Sequence, residues 1–141
     1  MQDPSVPPLS DSANIAPCVH TGEPLRIRVV APAGPVEAAD LDAGLAVLRE
    51  QGFLVQEGRS TRIRTGYFAG DDTARLADLQ EALDDPECDI LWFARGGYGT
   101  TRLLPRLRWS GPARPKMLAG FSDATALHLW ASELPGLKSL Y

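Results

Sequence analysis

Histidine and cysteine are scarce in this chain, which has only two of each among its 141 residues, and long apolar runs are absent. No stretch approaches the roughly 20 apolar residues that a membrane-spanning helix needs, so we expect no membrane partner. Cys18 and Cys88 suggest neither a disulfide framework nor a metal site. We expect Cys88, just before an apolar run, to be a small buried residue, and a reducing compartment fits both thiols.

The first 24 residues contain no Lys or Arg and are rich in Pro and Ser. A secretory signal needs a basic start followed by an apolar stretch, and neither is present. This composition predicts a disordered leader over residues 1–24 and one domain over residues 25–141. The net charge of −4, with basic residues scattered rather than striped, predicts that nucleic acid is not a partner. An apolar content of 44% is typical of a soluble globular protein.

Stretches typical of strands and helices alternate from Leu25 onward. Four apolar runs predict strands, at 25–30, 53–55, 89–94 and 117–120. Periodic apolar stretches predict helices, at 36–51, from Asp71 or Asp72 to Leu83, and at 123–132. We expect a long loop over 57–70 and a short helix that Pro105 limits. The succession predicts an α/β fold, a doubly wound, mainly parallel sheet with helices on both faces, whose third strand is buried on both sides.

Two glycine-containing turns, at 95–100 and 120–123, follow the third and fourth predicted strands. Ligands of such sheets bind beyond the carboxyl ends of the strands, so we expect both turns to line one site. Glycines in the first turn let backbone amides face an oxyanion or a phosphate, but a tight strand-to-helix connection would need them equally. The Lys-Ser/Thr pair of a phosphate-binding loop is missing, and the turn at 31–35 lacks the glycines of a dinucleotide fingerprint.

The second turn places Ser122 between an apolar strand and a helical pattern. Gly120 and Ala124 flank it at two residues' distance, as in a strained nucleophile elbow, although Ala124 replaces the usual second glycine. The amide of Asp123 would then help to form an oxyanion hole. The alternative is that Ser122 only caps the last helix, a role that serine often fills.

Neither histidine is placed to activate this serine, which needs a base held by a third group. His20 lies in the predicted leader. His128 follows Ser122 by six positions on the same predicted helix, which turns it to the opposite side. We expect His128 to be a helix-surface or interface residue, and the catalytic machinery to be incomplete within this chain.

Several motifs occur in order along the chain: Val30-Ala31-Pro32, Gly66 to Asp72 with Arg75 and Asp78-Leu79, Arg95 to Pro105, Pro115-Lys116, and Gly120 to His128. Together they resemble the LD-carboxypeptidase family, which comprises muramoyl-tetrapeptide carboxypeptidases and microcin C self-immunity proteins. The resemblance runs from about Leu25 to the end of the chain.

The resemblance implies a serine peptidase with a Ser-Glu-His triad in which Ser122 is the nucleophile. It implies an oxyanion hole formed by the amide of Asp123 and that of Gly97, with Gly96 as the second choice. Arg95 and Tyr98 are candidates for binding substrate. Family members are cytoplasmic and often homodimeric, and need no metal or cofactor. Many release terminal D-alanine from murein tetrapeptides during cell-wall recycling.

The family's triad Glu and His lie in a carboxyl-terminal domain, and this sequence ends at Tyr141, before that domain begins. We therefore expect the chain to carry the nucleophile half of the enzyme and to be inactive alone. Its expected partner is the missing carboxyl-terminal domain. Three alternatives stay open. They are an immunity hydrolase that cleaves a peptidyl-nucleotide, a non-catalytic module whose 95–100 loop binds a phosphate or nucleotide, and a truncated product that is unstable or self-associates.

Overall fold

The computed structural model describes residues 22–111 and 114–141. The predicted leader, with Cys18 and His20, lies outside these residues except for its last three positions, which are exposed and in neither helix nor strand. Five strands form one sheet: β1 (Arg26–Val30), β2 (Leu54–Glu57), β3 (Ile90–Phe93), β4 (Lys116–Ala119) and β5 (Leu137–Leu140). Every pairing is parallel, in the order β2-β1-β3-β4-β5.

The described part of the chain contains three α-helices: α1 (Ala38–Glu50), α2 (Asp72–Asp84) and α3 (Thr125–Ser132). It also contains four short 3-10 helices, at Arg59–Arg62, Thr100–Arg102, Leu104–Arg106 and Ser122–Ala124. None of the helices in these ranges is long and apolar enough to cross a bilayer. The predicted α/β class, with a parallel sheet and helices on both faces, is confirmed.

Two local predictions differ from the structure, and one strand was missed. The expected long loop over 57–70 contains the first 3-10 helix, and the short helix expected before Pro105 is two 3-10 turns, the second of which includes that proline. β5 was not predicted, because its four residues show no clear alternation of apolar and polar side chains. It is an outer strand that pairs only with β4. The start of α2 was predicted correctly: the Asp71 side chain accepts a hydrogen bond from the Ala74 amide at 2.7 Å.

Two apolar clusters lie on opposite faces of the sheet. On one face, α2 and α3 pack Leu79 and Leu127 against Leu91 and Leu118. Cys88 belongs to this cluster and is 1% exposed, so the prediction of a buried cysteine is confirmed. On the other face, α1 packs Leu41 and Leu45 against Ile27 and Val29. Right-handed crossovers place α1 on one face and the later helices on the other. The connection from β1 to β2 moves along the sheet in one direction, and the connections from β2 to β3, β3 to β4 and β4 to β5 move in the opposite direction.

The prediction that β3 is buried on both faces is wrong at Trp92. Its relative exposure is 38%, because it faces the α1 side of the sheet across an open cleft that also borders Leu45 and Leu48. Crossovers to β4 and β5 cover only the α2 and α3 side, so nothing in the sequence of β3 itself revealed this asymmetry.

Loops that follow β1 and β3 meet at the carboxyl edge of the sheet. The Gly34 amide donates a hydrogen bond to the Gly96 carbonyl at 3.0 Å. A Cβ on Gly34 would lie 2.9 Å from that oxygen, so this approach requires glycine. The loop before α2 joins the same edge, since the Ala69 amide donates to the Ala33 carbonyl at 3.0 Å. This edge carries the candidate site.

Candidate active site

Ser122 opens the turn between β4 and α3 with a φ of 61°. It is the only non-glycine residue with a positive φ in the described part of the chain. A left-handed backbone costs an L-residue about 1–2 kcal/mol, and such strain is concentrated at functional sites. The alternative that Ser122 is a helix cap is wrong, because Phe121 and Ala124 hold the capping positions. The strained strand–serine–helix turn has the form of a nucleophile elbow.

Gly120 leads β4 into this turn where a side chain would not fit. A Cβ there would lie 2.7 Å from the Phe93 ring. The Gly120 amide donates to the Leu140 carbonyl of β5 at 3.1 Å, and the Gly120 carbonyl lies 2.7 Å from His128 Nε2. Contacts from β3, β5 and α3 therefore fix the backbone two residues before Ser122.

His128 is buried, so the helix-surface part of its prediction is wrong, whereas an interface role stays a prediction. Its relative exposure is 8%, and its ring lies 6.2 Å from Phe93 and 6.1 Å from Tyr141 between centroids. Helical spacing correctly predicted that His128 points away from Ser122, but it could not predict that this side of α3 packs on the sheet. The ring contacts the Gly120 carbonyl and makes no hydrogen bond to the Ser122 hydroxyl within the described ranges, as expected for a residue that is not the base.

Gly96 lies directly against the side chain of Ser122. A Cβ on Gly96 would lie 2.8 Å from Ser122 Cβ, 2.9 Å from Ser122 Oγ and 3.4 Å from the Asp123 amide nitrogen. Among the described residues, neither the Gly97 amide nor the Asp123 amide donates a hydrogen bond to another backbone group. The structure thus brings the two predicted turns together, with uncommitted amides in both, and the choice between Gly97 and Gly96 as oxyanion donor stays a prediction.

The Asp123 side chain ties the two turns to each other, a role that sequence reasoning missed. Its carboxylate accepts a hydrogen bond from the Thr100 amide at 2.9 Å. Thr100 is fully buried, so this amide has no access to water. Asp123 is therefore placed to supply its own amide to the site while its carboxylate anchors the end of the glycine loop (residues 95–100).

A buried arginine, Arg75, packs against the glycine loop at Gly99. The sequence indicated this residue only as part of a family motif, not as a buried contact. Arg75 is fully buried and donates hydrogen bonds to the carbonyls of Pro32 and Gly70. Its guanidinium lies 4.6 Å from the centre of the Phe68 ring. A Cβ on Gly99, whose φ is 132°, would lie 2.6 Å from Arg75 Nη1 and 3.0 Å from Phe68. Both the backbone angle and the close approach therefore require glycine at this position.

Asp72 joins this arginine to a second one. Its carboxylate pairs with Arg75 and, at 2.8 Å, with Arg102, which stacks at 5.3 Å over Phe68. The hydrogen bond from Arg102, together with the charges of both guanidinium groups, holds the pKa of the Asp72 carboxyl below its ordinary value. The first turn of α2 is thereby linked to the segment that follows the glycine loop.

An open cleft of about 520 Å³ lies beside the 95–100 turn. Glycine, aromatic and basic residues line it: Gly34, Pro35, Arg64, Gly66, Tyr67, Phe68, Arg95, Gly97 and Tyr98. The predicted substrate-binding residues Arg95 and Tyr98 are both exposed on its wall. Arg95 donates to the Pro35 carbonyl at 2.6 Å, whereas Arg64 pairs with Glu37. Within the described ranges Arg95 has no carboxylate partner, so its charge is available to an anionic ligand.

The arrangement places the Ser122 hydroxyl beside uncommitted backbone amides. No histidine or carboxylate in the described part of the chain is hydrogen-bonded to the Ser122 hydroxyl. A strained serine at the carboxyl end of a parallel strand, beside free amides, is the arrangement that serine hydrolases built on an α/β sheet use.

Comparisons with known proteins identify the family of the chain. Residues 27–141 match the LD-carboxypeptidase N-terminal domain, and the chain belongs to the LD-carboxypeptidase family. It is 45% identical over 121 residues to a Streptomyces coelicolor protein that carries the name carboxypeptidase, with 82% of this chain and 39% of that protein covered. It is 38% identical over 126 residues to the murein tetrapeptide carboxypeptidase of Pseudomonas aeruginosa, covering 86% and 41%.

A solved structure agrees with the sequence comparison. The muramoyltetrapeptide carboxypeptidase of Oxalobacter formigenes superimposes with a TM-score of 0.67 and 33% identity, over 81% of this chain and 38% of that one. The chain thus spans about two-fifths of the length of the relatives it matches.

Proposed function

We propose that this chain is the nucleophile-bearing part of a serine LD-carboxypeptidase, which releases the terminal D-alanine of murein tetrapeptide in cytoplasmic cell-wall recycling. The observation that carries the proposal is the left-handed φ of 61° at Ser122, next to Gly96 and to the free amide of Asp123. The family's carboxyl-terminal domain, as the partner, supplies the Glu and His of the triad. The chain alone is inactive, and the assembled enzyme is a homodimer.

In this proposal the Ser122 hydroxyl loses its proton to the partner domain's histidine as its oxygen attacks the carbonyl carbon of the last peptide bond. The negative charge that forms on the carbonyl oxygen is stabilised by the amides of Asp123 and Gly97, or Gly96. The C–N bond then breaks, and the histidine returns the proton to the leaving D-alanine nitrogen. Water hydrolyses the remaining ester and frees Ser122.

A carboxypeptidase must also recognise the terminal carboxylate of its substrate. Arg95 is the best candidate, because it is exposed on the cleft and has no carboxylate partner among the described residues. A guanidinium binds a carboxylate through two parallel hydrogen bonds, which fixes the substrate's orientation as well as its charge. Tyr98 offers an exposed ring and hydroxyl on the same wall.

The test is a chimera in which residues 22–141 are followed by the part of the Pseudomonas aeruginosa relative that lies beyond the matched region. We expect this chimera to release D-alanine from murein tetrapeptide, and Ser122→Ala to abolish release. A second chimera with the Streptomyces coelicolor relative guards against a single failed junction. Two folded chimeras that release no D-alanine would contradict the proposal.

The same assay separates the remaining functions. Faster cleavage of a peptidyl-nucleotide than of murein tetrapeptide would assign the chain to the immunity hydrolases. Nucleotide binding to the 141-residue chain in calorimetry, without hydrolysis by either chimera, would instead support a non-catalytic binding module. Size-exclusion chromatography and a thermal melt of the chain identify an unstable or self-associating product.

A further inference from the structure

We propose that His128 is a positioning residue for the nucleophile elbow: its Nε2–H holds the Gly120 carbonyl and, through it, the left-handed backbone of Ser122. The role follows from contacts in the described residues. It rests on the proposed function only where hydrolysis is the readout.

The contact defines the tautomer of the ring. A carbonyl oxygen only accepts hydrogen bonds, so the 2.7 Å contact with Gly120 requires a proton on Nε2, and of the two neutral tautomers only the one with a bare Nδ1 provides it. Nδ1 is buried and has no hydrogen-bond partner in the described part of the chain. The ring orientation is therefore set by the Gly120 bond and by the flanking rings of Phe93 and Tyr141.

The elbow needs such a donor because Gly120 lies one residue beyond β4, which ends at Ala119. The Gly120 amide still pairs with Leu140 of β5, while its carbonyl is held by the His128 side chain. Strained backbone persists only where its surroundings over-determine it. His128 extends from α3 to Gly120, two residues before Ser122. Its hydrogen bond therefore joins α3 to the end of β4, on either side of the strained turn.

This role differs from that of a general base. The Nε2 proton is engaged by a backbone carbonyl, and His128 makes no hydrogen bond to the Ser122 hydroxyl in the described residues. His128 therefore acts through the Ser122 backbone and touches neither the substrate nor the reacting oxygen.

The first test uses the 141-residue chain and needs no activity. Long-range ¹H–¹⁵N NMR spectra of the histidines should show a proton on Nε2 of His128, with His128→Gln identifying the signals. A ring that carries its proton on Nδ1 would overturn the proposal, because it could not donate to Gly120.

The second test compares two variants. Gln retains a side-chain N–H that can reach the Gly120 carbonyl, whereas Leu has a similar size and no donor. In the active chimera, His128→Leu should lower kcat about tenfold without changing KM, because one hydrogen bond that orients the nucleophile is lost. His128→Gln should restore most of kcat, and only His128→Leu should shift the amide signals of Ser122 and Asp123.

Equal kcat values for both variants, or losses that follow only their melting temperatures, would overturn the proposal. If His128→Leu does not fold, the ring tautomer and the kcat of His128→Gln decide it. If both wild-type chimeras fold without hydrolysing murein tetrapeptide, only the proposed function is contradicted, since the NMR measurements on the chain remain decisive for His128.

Discussion

The carboxylate of Asp123 accepts a hydrogen bond from the backbone amide of Thr100 at 2.9 Å, so the residue after the candidate nucleophile holds the end of the glycine loop. We expect Asp123→Ala to lower the free energy of unfolding by about 1–3 kcal/mol, because the buried Thr100 amide loses its acceptor. Asp123→Asn retains an acceptor oxygen and should lose less. Urea unfolding of the chain measures both, and equal stability of Asp123→Ala and wild type would show that the bond is not formed in solution.

Gly96 lies so close to Ser122 that no side chain fits between them. A Cβ at this position would lie 2.8 Å from Ser122 Cβ, so Gly96→Ala must displace the nucleophile. We expect kcat of the chimera to fall by about 100-fold or more, because a misplacement of about 1 Å at the reacting groups can cost that much.

Gly44 in α1 provides the matched control for that substitution. It is exposed, and a Cβ there would meet nothing within 4 Å. Gly44→Ala should leave kcat unchanged and raise the free energy of unfolding by about 0.5–1 kcal/mol, since glycine is unfavourable inside a helix. A chimera in which Gly96→Ala is as active as Gly44→Ala would refute the proposed geometry of the site.

Ser122 is held in a backbone conformation that glycine adopts without strain. We expect Ser122→Gly to be more stable than Ser122→Ala by about 1 kcal/mol, because only alanine retains the left-handed penalty of an L-residue. Both variants lack the hydroxyl, so the comparison isolates the strain from the chemistry. Urea unfolding of the two variants gives the difference, and a less stable glycine variant would argue that Ser122 is not strained.

Asp72 makes stability depend on pH in the acid range. Its folded pKa lies below the ordinary value of 3.8, chiefly because Arg102 donates a hydrogen bond to it. A lowered folded pKa means that this stabilisation is fully present above about pH 4 and is lost as the pH falls through the folded pKa. Arg102→Gln should therefore flatten the decline of the unfolding free energy below about pH 4.

Arg106 is the control for this pH series, since it pairs with no carboxylate in the described part of the chain. Arg106→Gln should leave the acid decline as in the wild type. If Arg102→Gln also keeps the wild-type slope, the Asp72–Arg102 pair makes no difference between the folded and unfolded states.

The sequence predicted those parts of the site where the local geometry allows only certain residue types. Close approach at Gly96 and Gly120 excludes larger side chains, so the glycines and the intervening strand predicted two turns at one edge of a parallel sheet. The left-handed backbone of Ser122 was not predictable in this way, because serine is also a common helix cap.

Contacts between distant elements could not be predicted from local patterns. β5 exists only because its backbone pairs with β4, and the burial of His128 depends on how α3 packs on the sheet. Arg75 is a charged residue on a helix whose burial depends on carbonyls from two separate loops. The exposure of Trp92 likewise follows from the handedness of the connections rather than from its neighbours in β3.

We propose that Ser122 is the nucleophile of a hydrolase whose base lies in a carboxyl-terminal partner domain. Peptide mass spectrometry of the chimera after treatment with a fluorophosphonate identifies the nucleophile. We predict one covalent label, on the peptide that contains Ser122, absent from Ser122→Ala and much slower to form on the 141-residue chain alone. A chimera that hydrolyses murein tetrapeptide while Ser122 stays unlabelled, or while another residue takes the label, would contradict the claim.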